Sequence, residues 1–211
     1  MLFVPLVLAM ASLASDNFNR ANANPIGSPW TTAPSESAMQ IVSNACTPSS
    51  LAADCGAYYS TITWPNDQYS KAKLSVTGTA GSQAGAVLKV RQASGARTCY
   101  QLEVDHAATL NVDISKVVAG AFTSLTGFPV TQAWTDGDTW EIRAVGTTLS
   151  VWRNGTQVGA NATDNAIASG SPGIGYSSVE TATTIDDWEG GDFYLPGDLP
   201  HSRQWQALIA Q

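Results

Sequence analysis

Two acidic side chains are spaced so that they could carry out acid–base chemistry together on one face of a strand. Glu103 and Asp105 are two positions apart, in a stretch where apolar and polar residues alternate from 100 to 104, as in a half-buried strand. Side chains at i and i+2 share a face, and retaining glycoside hydrolysis uses two carboxyl groups about 5–5.5 Å apart. Glu141, in a second alternating stretch, is a third candidate. The competing interpretation is that all three are solvated residues on the polar side of an antiparallel sheet.

A wider set of polar residues alternates with apolar ones along the same predicted strands. If these strands share a sheet, the polar side chains share a face, and Trp152 supplies an aromatic ring because it points away from Val151. Aromatic rings and planar hydrogen-bonding groups together suit a glycan-binding surface. The candidate glycan site consists of Arg91, Gln101, Glu103, Glu141, Arg143 and Trp152, with Lys89 on the same predicted face. The alternative is an ordinary solvated sheet face.

A group of acidic residues suggests calcium as the one candidate cofactor. Calcium takes six to eight oxygen ligands, and Asp16, Asp186, Asp187 and Glu189 could supply some of them. A purely structural role for these carboxylates is the alternative. No other cofactor is predicted.

The three cysteines allow two interpretations. Cys46 and Cys55 flank a short loop and could form a disulfide in an oxidising compartment. Alternatively, all three are reduced core residues, since Cys99 makes the number odd. Zinc is not predicted, because there is no Cys-x-x-Cys pair and neither His106 nor His201 has a partner at ligand spacing.

Composition excludes several function classes. The net charge is −7 and the 10 basic residues are scattered singly, which argues against nucleic-acid binding. With only two histidines, a Ser-His-Asp triad is not plausible, and no phosphate-binding loop is present. Because only 13% of residues are charged, the polar surface must consist mostly of Ser, Thr, Asn and Gln. Such surfaces are typical of secreted, glycan-facing or particle-bound proteins.

The elements that must position these residues are short antiparallel strands. Between residues 137 and 158 the pattern predicts strand, turn, strand, turn, strand. The second turn is Asn154-Gly155, which favours a two-residue type I′ hairpin because both residues tolerate positive φ. About a dozen such strands predict a β-sandwich or barrel. The length of 211 residues fits a single domain.

Both ends of the chain differ from this pattern. Residues 1–15 are almost entirely apolar but contain no Lys or Arg, which favours an apolar arm or extra strand over a signal peptide. They are too few to span a membrane. Beyond the predicted domain of residues 16–193, the tail of residues 194–211 contains a short amphipathic helix predicted at 202–210. Such ends suit assembly with other subunits.

Several short motifs together resemble one superfamily. They are Asp16-x-Phe18-x-Arg20, Gly27-x-x-Trp30, Trp64-Pro65-Asn66-Asp67-Gln68-Tyr69, Gly137-Asp138-Thr139-Trp140, Asn154-Gly155, Ser171-Pro172-Gly173-Ile174-Gly175 and Ile185-Asp186-Asp187-Trp188-Glu189-Gly190-Gly191-Asp192. Their order and spacing resemble the concanavalin A-like lectin/glucanase superfamily, and more narrowly the laminin-G-like jelly-roll domains of phage structural and bacterial surface proteins.

The resemblance implies an all-β, two-sheet antiparallel jelly-roll sandwich with one concave sheet. It also implies that the first and last strands are neighbours, and that Arg20 pairs with Asp186 or Asp187. The glucanase branch carries Glu-x-Asp-x-x-Glu on a central strand, and this chain lacks that motif.

The leading functional prediction is a non-catalytic module on a virion surface, or an extracellular or cell surface. It would act in structural decoration or adhesion, with weak glycan binding. Its partners would be other subunits, contacted through residues 1–15 and 194–211, in a homo-oligomer or lattice. The alternatives are a secreted carbohydrate-active enzyme using Glu103, Asp105 or Glu141, and a soluble calcium-dependent lectin.

Overall fold

The fold is built almost wholly from strands that alternate core-facing and outward-facing side chains. The structure, a computed structural model, describes residues 9–76, 85–105, 111–133, 135–177 and 183–194. The strands are β1 (Ala9–Asp16), β2 (Trp30–Thr32), β3 (Met39–Val42), β4 (Ala45–Pro48), β5 (Cys55–Tyr59), β6 (Gln68–Val76), β7 (Gly85–Gln92), β8 (Cys99–Asp105), β9 (Asn111–Val118), β10 (Ala121–Ser124), β11 (Val130–Thr131), β12 (Asp138–Val145), β13 (Thr148–Arg153), β14 (Thr156–Thr163), β15 (Ser171–Ser177) and β16 (Thr183–Tyr194).

These strands form two sheets of eight strands each. The first sheet has the order β14-β13-β12-β6-β16-β4-β3, with β1 also paired to β16. The second sheet has the order β10-β9-β8-β7-β15-β5-β2, with β11 also paired to β9. All pairs between these strands are antiparallel. The predicted all-β, two-sheet antiparallel jelly-roll sandwich is confirmed.

The β12–β13–β14 meander follows the predicted turn chemistry. Asn154 and Gly155 have φ values of 49° and 79°, the positive pair that a type I′ turn requires. The turn places Arg153 opposite Thr156 and Trp152 opposite Gln157. The Asn-Gly dipeptide therefore sets the register of the sheet edge.

Three tryptophans of the superfamily motifs, Trp30, Trp64 and Trp188, meet in the core between the sheets. The Trp188 ring centroid lies 4.6 Å from that of Trp30, 5.4 Å from that of Tyr59 and 6.3 Å from that of Trp64. Trp188 Nε1 donates to Ser70 Oγ at 2.9 Å, Trp64 Nε1 to the Tyr59 carbonyl at 2.9 Å, and Trp30 Nε1 to Asp16 Oδ2 at 2.8 Å. The motifs are therefore architectural.

The first and last strands are neighbours, as the resemblance implied. In the antiparallel pair of β1 and β16, Ala9 is opposite Tyr194 and Asp16 is opposite Trp188. The expected pairing of Arg20 with Asp186 or Asp187 is wrong, because Arg20 forms a two-pronged ion pair with Asp16 at 2.6 and 3.0 Å. The turn that follows β1 brings these two side chains together.

The cysteines are free buried thiols, so the predicted disulfide between Cys46 and Cys55 is not formed. Cys46 lies on β4 of the first sheet and Cys55 on β5 of the second, so closeness in sequence does not make them partners. The Cys55 thiol donates to the Ser50 carbonyl at 3.3 Å. Burial raises the pKa of Cys99 to about 11 and also raises the pKa of Cys46. The alternative of reduced core thiols matches the structure.

The two chain ends are only partly described. Ala9–Asp16 forms strand β1, which agrees with the extra-strand interpretation of the arm. Residues 1–8 and the predicted helix at 202–210 lie outside the described residues. The domain boundaries therefore stay a prediction. Within the described ranges, no helix has the length and apolar character needed to cross a membrane.

Candidate functional site

The six predicted glycan-site residues do not share one face. Glu141, Arg143 and Trp152 lie on β12 and β13 of the first sheet. Gln101 and Glu103 lie on β8 of the second sheet, beside β7. Alternation correctly predicted that these side chains point away from the core, but it carries no information on which sheet a strand joins.

Arg91 is a structural clamp rather than part of either face. Its φ of 55° interrupts the alternation at the end of β7 and turns the side chain between loops. The guanidinium donates to the carbonyls of Asn66, Ile167 and Gly146 at 2.9, 2.9 and 2.8 Å. With only 3% of its side chain exposed, Arg91 holds these three loops together.

The predicted polar face of the second sheet is covered around Lys89. The Lys89 ammonium forms a buried ion pair with Glu36. Arg97 Nε lies 2.9 Å from Glu36 Oε1, and Arg97 Nη2 lies 2.5 Å from Asp54 Oδ2. A glycine at position 56 makes room, since a Cβ there would lie 2.5 Å from Lys89 Nζ. Glu36 lies in a loop with no strand periodicity, so the sequence carried no signal for this network.

Further along the second sheet, three carboxylates line a pocket of about 180 Å³. They are Glu103, Asp105 and Asp113, with Asn111 and Pro129 completing the lining. Glu103 is directly opposite Asp113 across β8 and β9. We call this the acidic pocket.

The surroundings of Glu103 favour the protonated form of its carboxyl group. Burial raises its pKa, the charges of Asp105 and Asp113 add to the rise, and a hydrogen bond with Ser177 opposes it. Across the ladder, Asp113 Oδ2 accepts hydrogen bonds from Ser115 and Ser124 at 2.8 and 2.7 Å. Sequence reasoning missed Asp113, although β9 shows the alternation that places it on this face.

On the outer face of the first sheet, the structure brings Glu141, Arg143 and Trp152 together. The Arg143 guanidinium carbon lies 3.8 Å from the centre of the Trp152 ring. Arg143 Nε and Nη2 donate to the two carboxylate oxygens of Glu141 at 2.6 and 3.1 Å. Trp152 Nε1 donates to Ser150 Oγ at 3.0 Å, and the indole is half-buried. We call these three residues the aromatic platform.

Two further aromatic residues extend this face. The Phe193 ring centroid lies 5.7 Å from the Arg143 guanidinium and 5.6 Å from the Tyr69 ring centroid. The Tyr69 hydroxyl donates to Glu189. Burial, followed by the influence of Glu189, raises the pKa of Tyr69, so it stays a neutral phenol. Sequence reasoning did not place either aromatic residue on this face.

The four predicted calcium ligands are occupied by other partners. Asp16 pairs with Arg20. Asp187 lies 2.6 Å from Lys73 Nζ, and Glu189 lies 3.1 Å from Lys71 Nζ. Asp186 accepts a hydrogen bond from the Asp187 amide at 2.8 Å. Asp16, Asp187 and Glu189 do line one cleft of about 440 Å³. Among the described residues, however, no three His, Cys, Asp or Glu side chains are placed so that they could hold a metal ion together. Three of the four carboxylates thus pair with a lysine or arginine side chain, and calcium dependence stays a prediction.

The two stacked sheets and their strand order define a class: the chain has the concanavalin A-like lectin/glucanase fold, as its motifs predicted. The carbohydrate-binding module CBM66 from Bacillus subtilis is similar in structure, with a TM-score of 0.59 and 18% identity over 78% of this chain and 96% of that one. A galectin-like protein of unknown function from Bacillus subtilis has a TM-score of 0.61 and 9% identity, covering 90% of this chain and all 100% of the other.

An enzyme is also among the similar structures. A prokaryotic β-1,3-1,4-glucanase (lichenase) from a mouse hindgut metagenome has a TM-score of 0.56 and 11% identity, covering 85% of this chain and 98% of its own. No family model matches the sequence, and the comparison with curated proteins gives no match. At these identities the likeness concerns the fold alone.

Proposed function

We propose that this protein is a non-catalytic glycan-binding module that acts in decoration or adhesion at the surface of a virion or cell. The observation that carries the proposal is the aromatic platform, in which the Arg143 guanidinium lies 3.8 Å above the Trp152 ring. Arg143 is held there by its two hydrogen bonds to Glu141.

The platform has the chemistry that a sugar ring requires. An indole offers an apolar surface to the C–H groups of a sugar. The guanidinium and carboxylate beside it offer planar donors and acceptors to hydroxyl groups. Because Arg143, Glu141 and Trp152 already hold each other in place, binding costs little side-chain entropy.

Two further observations support the proposal. One of the similar structures, CBM66 from Bacillus subtilis, is a carbohydrate-binding module. The low content of charged residues, 13%, is typical of particle-bound and glycan-facing surfaces. Contacts with other subunits are proposed at residues 1–15 and 194–211, whose apolar character suits assembly.

The test is binding to a glycan array, followed by calorimetric titration with the sugars that bind. We expect Trp152→Ala to weaken binding at least about tenfold, equivalent to 1.4 kcal/mol. Phe122→Ala is the matched control, because Phe122 is an exposed aromatic residue on β10 of the second sheet. Equal affinity of both variants and wild type would overturn the platform as the binding site, and an array without any bound glycan would overturn the proposed function.

A second candidate function rests on the acidic pocket. Burial raises the pKa of Glu103, which would let its carboxyl group hold a proton as a general acid in glycoside hydrolysis. A neighbouring carboxyl group, that of Asp105 or Asp113, would be the second group that this reaction needs. Incubation with a polysaccharide panel tests this candidate. New reducing ends that disappear in Glu103→Gln but persist in Trp152→Ala would favour the enzyme, and no release by wild type would eliminate it.

A further inference from the structure

Three loops at one end of the sandwich enclose a pocket of about 290 Å³. They are the loop between β5 and β6, the turn between β12 and β13, and the loop between β14 and β15. We call this the loop pocket, and its lining shares no residue with the aromatic platform or the acidic pocket. Loops that a rigid scaffold positions often carry binding sites. The volume is close to the lower limit of about 300–1,000 Å³ for small-ligand sites.

The buried guanidinium of Arg91 anchors all three loops of the loop pocket. It donates to one carbonyl from each, those of Asn66, Gly146 and Ile167, at 2.9, 2.8 and 2.9 Å. The Gly146 amide also donates to Asp67 Oδ1 at 2.7 Å, which joins the first loop to the second. The pocket is therefore formed before a ligand arrives, so that binding costs little ordering entropy.

The third loop is fixed to the core a second time. The Ile167 amide donates to the hydroxyl of the buried Tyr100 at 3.1 Å, and that hydroxyl donates to Asp164 Oδ1 at 2.6 Å. The Asp164 amide in turn donates to the Thr147 carbonyl at 3.0 Å, across to the β12–β13 turn. These bonds hold the lining residues of the second and third loops at a fixed separation.

The lining of the loop pocket combines an apolar floor with groups that bind hydroxyls. Ile167 and Ala168 supply apolar surface, and the polar groups are the Asn66 and Asn165 amides, the Thr147 hydroxyl and the Asp67 carboxylate. The Asp67 side chain is 42% exposed. A carboxylate accepts hydrogen bonds only, whereas amides and hydroxyls both donate and accept. Together these groups match two neighbouring hydroxyls on a ring whose C–H groups contact the floor.

The charges in this lining favour a neutral ligand. Arg91 and Asp67 are its two ionic residues, and Arg91 Nη2 lies 3.8 Å from Asp67 Oδ1. Only 3% of the Arg91 side chain is exposed, against 42% for Asp67. A ligand in the pocket therefore approaches the negative charge more closely than the positive one, and an anionic ligand is repelled.

We propose that the loop pocket is a second sugar-binding site, separate from the aromatic platform, which takes one neutral sugar residue through two neighbouring hydroxyl groups. Asp67 accepts hydrogen bonds from these hydroxyls, and Thr147 bonds to one of them. This goes beyond the proposed function, because two sites on one chain make the module bivalent. A bivalent module holds a glycan-coated surface more strongly than either site alone.

The test is an NMR titration of isotope-labelled protein with the methyl glycosides of glucose, galactose and mannose. The Ala168 amide, in the lining, reports the loop pocket, and the Trp152 indole N–H reports the aromatic platform. For wild type we expect one of these sugars to shift the Ala168 resonance along a saturable curve. The methyl uronide of the same sugar should bind there at least threefold more weakly, since Asp67 repels its carboxylate.

Two substitutions should weaken binding at Ala168 at least threefold and leave the Trp152 curve unchanged. Asp67→Asn keeps the acceptor for the Gly146 amide but replaces the second carboxylate oxygen with a donor. Thr147→Val removes the hydroxyl and keeps the shape of the side chain. Thr156→Val is the matched control, because Thr156 is also exposed but lies beyond the other end of β13 and does not line the pocket. The remaining resonances report whether each variant is folded.

The two reporters separate the two proposed sites. Shifts at the Trp152 indole alone would overturn the loop pocket and leave the platform standing. Saturable shifts at Ala168 alone, weakened by both substitutions, would support the loop pocket and count against the platform. Shifts at neither position would overturn both sites. The loop pocket is also overturned if Asp67→Asn and Thr147→Val match wild type at Ala168, and its assignment to neutral sugars is overturned if the uronide binds equally well.

Discussion

Replacing Lys89 with methionine should reveal how strongly the covered face of the second sheet depends on its ion pairs. The side chains of Lys89 and Glu36 are 1% and 2% exposed. Together with Arg97 and Asp54 they form a group of two cations and two anions. Lys89→Met keeps most of the volume but leaves one buried negative charge in excess.

The expected cost follows from that imbalance. Removing one partner of a buried ion pair costs about 3–5 kcal/mol. We expect the lower end, about 3 kcal/mol, because Arg97 Nε remains 2.9 Å from Glu36. For a protein of this length that corresponds to a fall in Tm of about 6–12 °C. Urea unfolding should show a lower midpoint with an unchanged m-value.

Two further variants make the prediction refutable. Lys73→Met breaks a pair of similar geometry, 2.6 Å from Asp187, whose side chains are 52% and 48% exposed. Its melting temperature and urea midpoint should stay close to those of wild type, because solvent screens an exposed pair. The double variant Lys89→Met/Glu36→Leu leaves Arg97 paired with Asp54 and should be more stable than Lys89→Met alone. The reasoning is refuted if Lys89→Met loses no more stability than Lys73→Met. It is also refuted if the double variant is less stable than Lys89→Met alone.

Three other substitutions test the pairing of β1 with β16 and the carboxylates of Glu103 and Asp138. Gly191→Ala would place a Cβ 2.0 Å from the Ala11 carbonyl oxygen. The substitution should lower the free energy of unfolding by about 1–3 kcal/mol and speed amide hydrogen exchange in β1. Unchanged exchange would contradict this. Glu103→Gln removes one of two like charges that lie directly opposite each other, Glu103 and Asp113. It should stabilise the folded protein by about 0.2–1 kcal/mol at pH 7. Because the folded-state pKa of Glu103 is raised, wild type loses stability as the pH rises from the ordinary pKa through the folded-state pKa. Thermal melts should therefore show that the gain from Glu103→Gln disappears below the ordinary pKa. The pKa of Asp138 is lowered in the folded protein, so the stability that its carboxylate contributes is present above the ordinary pKa and lost as the pH falls through the folded-state pKa. Asp138→Asn should therefore cost at least about 1.5 kcal/mol of stability at pH 7 and clearly less at pH 2. An equal cost at both pH values would contradict this.

Local patterns predicted the elements well because strand formation and turn geometry are local. The strand-turn-strand-turn-strand pattern predicted between residues 137 and 158 is found as β12, β13 and the start of β14. Asn154-Gly155 forms the predicted hairpin, since positive φ is a property of the two residues themselves.

Sheet membership could not be predicted in the same way, because it depends on contacts between residues far apart in sequence. Glu141, Arg143 and Trp152 were predicted together and are found together, since a two-residue turn joins their strands. Gln101 and Glu103 share an alternation phase with them but lie on the other sheet. Nothing within one strand distinguishes these cases.

Contacts between loops and between the two sheets could not be predicted either. Glu36 covers Lys89 from a segment without strand periodicity. The side chain of Arg91 departs from the alternation of β7 because the residue has a φ of 55°. Cys46 and Cys55 are close in sequence and lie in different sheets. In each case the tertiary arrangement overrides a local expectation.

The pairing of β1 with β16 decides how the sandwich responds to mechanical load. Ala9 and Tyr194 are opposite each other at one end of the ladder, so tension on the two flanking segments acts at that end. Hydrogen bonds in an antiparallel ladder lie perpendicular to the strands, and such tension opens them one after another. Strand β1 should therefore detach first and lengthen the chain by up to its eight residues, before the two sheets that carry the aromatic platform unfold.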